Sequence, residues 1–141
     1  MKRILTFCMA LLCTQAAFAA DYDGSKPLLC SSVTVNECLP NGACEHVMAS
    51  AINAPDFFRI DVKKKNVAGA KAGKDRPKNK IDSAKVLGDK LYVQGKDNGV
   101  EGVRDDGLAW SVSIDQASGD MVLTASGDEV AFVIFGSCIV L

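Results

Sequence analysis

The chain has 141 residues, with 16 basic side chains, 17 acidic ones and a single histidine, for a formal net charge of −1. That near-balance marks no nucleic-acid partner, and the length suits one domain rather than two. Six cysteines make the redox compartment the first question to settle.

Residues 1–19 read as a removable signal peptide for export. Lys2 and Arg3 open it, residues 4–12 form an apolar run, and Ala16, Ala17, Phe18, Ala19 and Ala20 supply the small-residue end. Cleavage after Ala19 puts Ala17 and Ala19 in the two small-residue positions, whereas cleavage after Ala20 would put Phe18 in one of them. The apolar run is shorter than the roughly 18 residues of a spanning helix, which argues against a retained anchor. Cys8 follows Phe7 and Cys13 follows Leu12, so neither has the small residues that precede a lipidated cysteine. The expected single domain, 20–141, has no transmembrane segment and keeps 14 basic and 17 acidic side chains, a net charge of −3.

The first strand is expected over 28–35. The signal takes Cys8 and Cys13 with it, leaving Cys30, Cys38, Cys44 and Cys138, an even set in an oxidising compartment. Pro40, Asn41 and Gly42 supply turn chemistry between Cys38 and Cys44, which favours that pairing and leaves Cys30 with Cys138. The second bridge would tie the first strand to the last. A four-cysteine zinc site calls for two-residue spacings, and they are absent.

Val47, Met48, Ala51 and Ile52 fall at helical spacing ahead of Pro55, which predicts one short helix near 45–53. Phe58, Arg59, Ile60, Asp61, Val62 and Lys63 then alternate as a half-buried strand does. From 63 to 80 the chain reads as a flexible basic loop: Lys63, Lys64, Lys65, Lys71, Lys74, Arg76, Lys78 and Lys80 face Asp75 alone, a net of +7. Ala68, Gly69, Ala70, Ala72 and Gly73 fit a solvated connection. The charge also fits contact with an anionic lipid surface or an acidic envelope protein. No aromatic residue interleaves, so base stacking has no platform and no nucleic acid is expected.

Strands follow at 81–87 and 90–94 around the tight turn Gly88-Asp89. The stretch 97–106 offers the oxygen ligands that a calcium loop needs, but Gly99 occupies a ligand position and Leu108 stands where a bidentate glutamate belongs, so it reads as a plain acidic loop. Residues 108–115 alternate again and carry Trp110, a core residue by position and a candidate lining of a cavity. Turns at 117–120 and 127–128 separate the last two strands, 121–126 and 130–138. The final strand is apolar at consecutive positions from Val130 to Phe135, which predicts cover on both faces, by the short helix or the N-terminal segment.

Sequential hairpins imply a mainly β chain folded as a small antiparallel meander barrel, with a two-layer sandwich as the alternative. An outer-membrane barrel would need alternating apolar strands of roughly 9 to 11 residues throughout, and only the last strand approaches that. Catalytic signals are thin. His46 sits between Cys44 and the expected helix, no G-x-S-x-G motif occurs, and the pairs Asp105-Asp106 and Asp128-Glu129 lie beside glycines in turn-like segments. No dinucleotide fingerprint or phosphate loop calls for a cofactor, and no metal site is expected.

The pattern Trp110-Ser111 with Ile114-Asp115, Gly119, Met121 and Phe135-Gly136-Ser137-Cys138 resembles small exported bacterial proteins without an assigned activity. Ile52-Asn53-Ala54-Pro55 and Phe57-Phe58 add to that resemblance, whereas the basic run is richer than the pattern leads one to expect. It implies export and no particular chemistry. The sequence therefore points to a periplasmic or secreted protein that binds, without catalysis, a small apolar ligand or an enzyme to be inhibited. An envelope accessory protein docking through residues 63–80 is the alternative, and a hydrolase with an unrecognised site the third reading.

Overall fold

In a computed structural model, which describes residues 22–70, 79–97 and 107–141, alternation becomes architecture. Its strands are β1 (Leu28–Cys38), β2 (Cys44–Val47), β3 (Phe57–Asp61), β4 (Asn66–Gly69), β5 (Asn79–Leu87), β6 (Lys90–Lys96), β7 (Ala109–Asp115), β8 (Asp120–Ser126) and β9 (Ala131–Val140). Each strand from β3 to β9 pairs antiparallel with the next, and β1 joins β3 to β9. The result is a closed eight-stranded antiparallel barrel with β2 outside the ring. The barrel reading stands, and the sandwich falls because β1 leaves no break between β3 and β9.

β1 is the join. One of its edges pairs with β9 from Leu28 opposite Val140 to Cys38 opposite Ala131, with an irregularity between Ser32 and Thr34. Its other edge is shared: Leu28 to Ser31 face β3, and Val35 to Cys38 face β2. Gly136 lies opposite Ser32, and a Cβ there would strike the Ser31 carbonyl, so only glycine lets the strands close. Cys30 stands opposite Cys138 and Cys38 opposite Cys44, and both pairs form the expected disulfides. The first spans 108 residues of chain, for which the chain-entropy model gives about 4.7 kcal/mol before strain.

Period-two side chains fill the interior. Leu91 and Val93 on β6, Val112 and Ile114 on β7, and Ile60 on β3 are fully buried, and each such side chain contributes about 1.5–3 kcal/mol of transfer free energy. The two ends differ. One carries the turns 62–65, 88–89 and 116–119 and is plugged by the N-terminal segment. There Tyr22 packs on the core, Gly24 lies against Val62 and Leu91, and the Leu141 N–H donates to the Pro27 carbonyl at 2.9 Å. The other end carries the connections 48–56 and 127–130 and the chain flanking 71–78 and 98–106.

Three expectations change. The helix near 45–53 shrinks to a 3-10 turn, Ala49–Ile52, because Cys44–Val47 is captured by β1 as a strand. The 63–80 loop is interrupted by β4, whose Val67 and Gly69 face the barrel, so its two basic clusters belong to different connections. Among the described residues nothing covers the last strand outside: Phe135, opposite Val122, remains 46% exposed. The plug and the 3-10 turn serve the two ends of the barrel and leave that face open.

Candidate functional site

The open end holds a cavity of about 480 Å³, within the roughly 300–1,000 Å³ typical of small-molecule sites. Its floor is apolar, made by Phe58, Val112, Leu123 and Ile134 from β3, β7, β8 and β9. Asn53 and Pro55 of the 48–56 connection, Asn79 at the start of β5, and Asp97 and Leu108 just beyond the ends of β6 and β7 lie among the residues lining it at that end. The 48–56 connection is pinned in place. Ser32 Oγ donates to the Pro55 carbonyl at 3.0 Å, the Ser32 N–H to the Asp56 carbonyl at 2.8 Å, and the Ala54 N–H to the Ala49 carbonyl at 2.9 Å. Asn53 takes a left-handed backbone, φ 56°, to turn the chain over the barrel mouth. On the rim the Asp97 N–H donates to the Leu108 carbonyl at 2.8 Å, extending the β6–β7 pairing by one position. A smaller depression of about 230 Å³ lies beside the rim, against Ser50, Asp56 and Phe57.

Trp110 forms part of the cavity wall and is 9% exposed. It stands between Gly95 on β6 and Ala125 on β8 in register. A Cβ on Gly95 would collide with the indole ring and with the Lys80 carbonyl, so the missing side chain is what admits the ring. Its Nε1 has no hydrogen-bond partner and is the one buried side-chain polar atom so placed among the described residues. Leaving such a donor unpaired costs about 1–3 kcal/mol. The sequence singled out Trp110 but gave no signal for Gly95, because their juxtaposition depends on register.

The basic residues fall in two places. Lys63, Lys64 and Lys65 occupy the β3–β4 turn, where Lys64 Nζ lies 3.5 Å from the Asp61 carboxylate and the Lys65 carbonyl accepts the Ile81 N–H at 3.0 Å. Lys80 lies directly opposite Lys96, and both are exposed. Lys71, Lys74, Arg76 and Lys78 lie outside the described residues, as do the 98–106 part of the weighed calcium stretch and Asp105-Asp106. Like charges opposite one another in a ladder repel, and the cross-strand position of Lys96 was not legible before pairing was known. His46 is exposed on β2 opposite Asn36, and Asp128 and Glu129 are exposed between β8 and β9.

Among the described residues the largest electrostatic perturbation lies away from the cavity lining, in the β7–β8 turn. The Asp115 carboxyl is held well below the usual carboxylate range, first by the Ser118 backbone N–H, then by Lys90 Nζ at 2.9 Å and the Ala117 N–H. Its role is to fix that turn. Among the described residues no group of three or more His, Cys, Asp or Glu is placed to hold a metal ion, and no helix is long and apolar enough to cross a membrane. The two disulfides are consistent with an oxidising, exported environment. No protein-family model matches the chain, and no curated protein or solved structure shows significant similarity to it.

Proposed function

We propose that this is an exported, non-catalytic binding protein whose barrel interior receives a small apolar molecule. The cavity over Phe58, Val112, Leu123 and Ile134 carries this reading: it is roomy and apolar, and its entrance is framed by pinned connections. The signal-like residues 1–19 and the two disulfides support export to the periplasm or beyond. The W-S-x-x-I-D and F-G-x-C patterns, which resemble those of small exported bacterial proteins, support the same reading. Titration with the neutral fluorophore N-phenyl-1-naphthylamine tests it. Saturable enhancement with about one site per chain is expected, and Ala125→Phe, which fills the cavity, should weaken it at least tenfold. An absence of saturable binding, or binding indifferent to Ala125→Phe, would sink the reading.

The Lys80–Lys96 juxtaposition favours a second reading, contact with an anionic envelope surface. Neither lysine has an ion-pair partner among the described residues, and Lys65 adjoins them through its bond to Ile81. Co-sedimentation with phosphatidylglycerol vesicles should be salt-sensitive and fall severalfold in Lys80→Glu with Lys96→Glu. Binding unchanged by that double variant removes the second reading.

A further inference from the structure

We infer that Cys38–Cys44 is an exchangeable disulfide: a dithiol reductant opens it in the folded protein while Cys30–Cys138 stays closed, and its opening releases β2 from the barrel. This site of thiol–disulfide chemistry is separate from the cavity and does not depend on what the cavity binds.

Both bridges join residues that face each other across paired strands, yet only one can be reached. Cys30 and Cys138 are 0% and 3% exposed and belong to the barrel core, so a thiolate reaches them only when the barrel opens. Cys44 is exposed and Cys38 half-buried, and the turn between them, 39–43, is exposed throughout. Exchange requires a thiolate to approach a sulfur, and exposed bridges are accordingly the labile ones. The dithiol alone balances the steps. One of its thiolates attacks the Cys44 sulfur, the bond between the two cysteines breaks, and Cys38 leaves as a thiolate that takes up a proton. The second thiolate of the reductant then attacks the mixed disulfide and releases Cys44, which is protonated in turn. The protein gains two electrons and two protons, and the reductant ends as a disulfide.

β2 is the strand that depends on this bridge. It lies outside the ring, and its only partner strand among the described residues is β1. Cys44, Glu45 and His46 are exposed, and Val47 alone packs against the core. Glu45 stands directly opposite Glu37, and like charges so placed oppose the pairing. Release stops at the next element, because Ala49 is buried and Ser32 holds Pro55 and Asp56 beyond it. The ring closes through β3, β1 and β9 and does not need β2.

The register names the amides that report on release. The Leu39 N–H donates to the Ala43 carbonyl, so by antiparallel alternation Glu37 with Glu45 and Val35 with Val47 are the next hydrogen-bonded pairs, whereas Asn36 and Cys38 turn their amides towards β9.

The test uses the full, oxidised protein and dithiothreitol under native conditions, with free thiols trapped by iodoacetamide and located by peptide mapping. Cys38 and Cys44 should be alkylated at least about tenfold faster than Cys30 and Cys138. In the protein so opened, amide hydrogen exchange read by NMR should quicken at least about tenfold at Val35, Glu37, Glu45 and Val47, and stay unchanged at Asn36, at Cys38 and in β6 to β8. Cys38→Ser with Cys44→Ser should reproduce that pattern without reductant. Both bridges opening at one rate, or Cys30–Cys138 opening first, overturns the exchange site. Selective opening that leaves Val35, Glu37, Glu45 and Val47 protected overturns the release of β2. Should the double variant not fold, the wild-type protein with dithiothreitol still decides both.

Discussion

The two ends of the barrel are built from the same alternating strands and finished in opposite ways. At one, tight turns and the Tyr22–Pro27 segment leave Leu91, Ile114 and Met121 without solvent contact. At the other, the described residues leave about 480 Å³ over a comparable apolar floor. Strand sequence alone does not decide between core and cavity, because inward residues at both ends are Val, Ile, Leu, Phe and Met. At the first end the Tyr22–Pro27 segment supplies the plug that makes it core.

The contrast makes graded predictions. The largest effect belongs to the bridge in the plugged half: replacing Cys30 and Cys138 with alanine should cost about 4–5 kcal/mol, against about 2 kcal/mol for Cys38 and Cys44, read as shifts in the urea midpoint. Next, Ile114→Ala at the plugged end should cost about 2–5 kcal/mol, whereas Ala125→Leu, which extends into the cavity, should change stability by less than about 1 kcal/mol. Equal responses would erase the distinction between the ends. Gly95→Ala should cost about 1–3 kcal/mol and shift the emission of the single tryptophan, since the ring must leave its seat. An unmoved spectrum would mean that Gly95 does not house Trp110.

The smallest effect is a pH dependence at the plugged end. The folded Asp115 value lies below the unfolded value of about 3.9, so its contribution is complete above about pH 5 and is lost as pH falls through the folded value. Lys90 is raised, chiefly by its hydrogen bond to Asp115, so its share is complete below about pH 10.4 and is lost as pH rises through the folded value. Asp115→Asn should flatten the acid limb of the stability profile between about pH 5 and 2. An acid limb as steep as the wild type's would assign that slope to other carboxylates.

Much of the barrel was legible because its long strands announce themselves locally. Phe58 to Asp61 and Trp110 to Asp115 alternate cleanly, and Gly88-Asp89 marks its hairpin. The disulfides were legible because Pro40, Asn41 and Gly42 form a turn, which left one pairing for the other two cysteines. β2 and β4 were not, since four residues are too few to show a period. Val47 and Met48 suited a helix, and Val67 was lost among alanines and glycines. The cavity was legible only as a possibility attached to Trp110. Its lining joins Asn53, Asn79, Asp97 and Leu108, residues far apart in the chain, and only the pairing of the strands around the barrel brings them to one mouth.

Placing Cys30 and Cys38 on the same strand has a consequence in time. Synthesis delivers Cys30, Cys38 and Cys44 close together, while the proper partner of Cys30 follows 108 residues behind it. An oxidant acting in order of arrival would join Cys30 to Cys38. The β1–β2 hairpin brings Cys44, only six residues on, against Cys38 by local register, so the early cysteines are sorted before the last strand exists. On that order Cys30 would stay a thiol until Cys138 arrives. Damage to the Pro40-Asn41-Gly42 turn should accordingly appear first as scrambled disulfide isomers in newly made chains, while molecules that have already closed keep their stability.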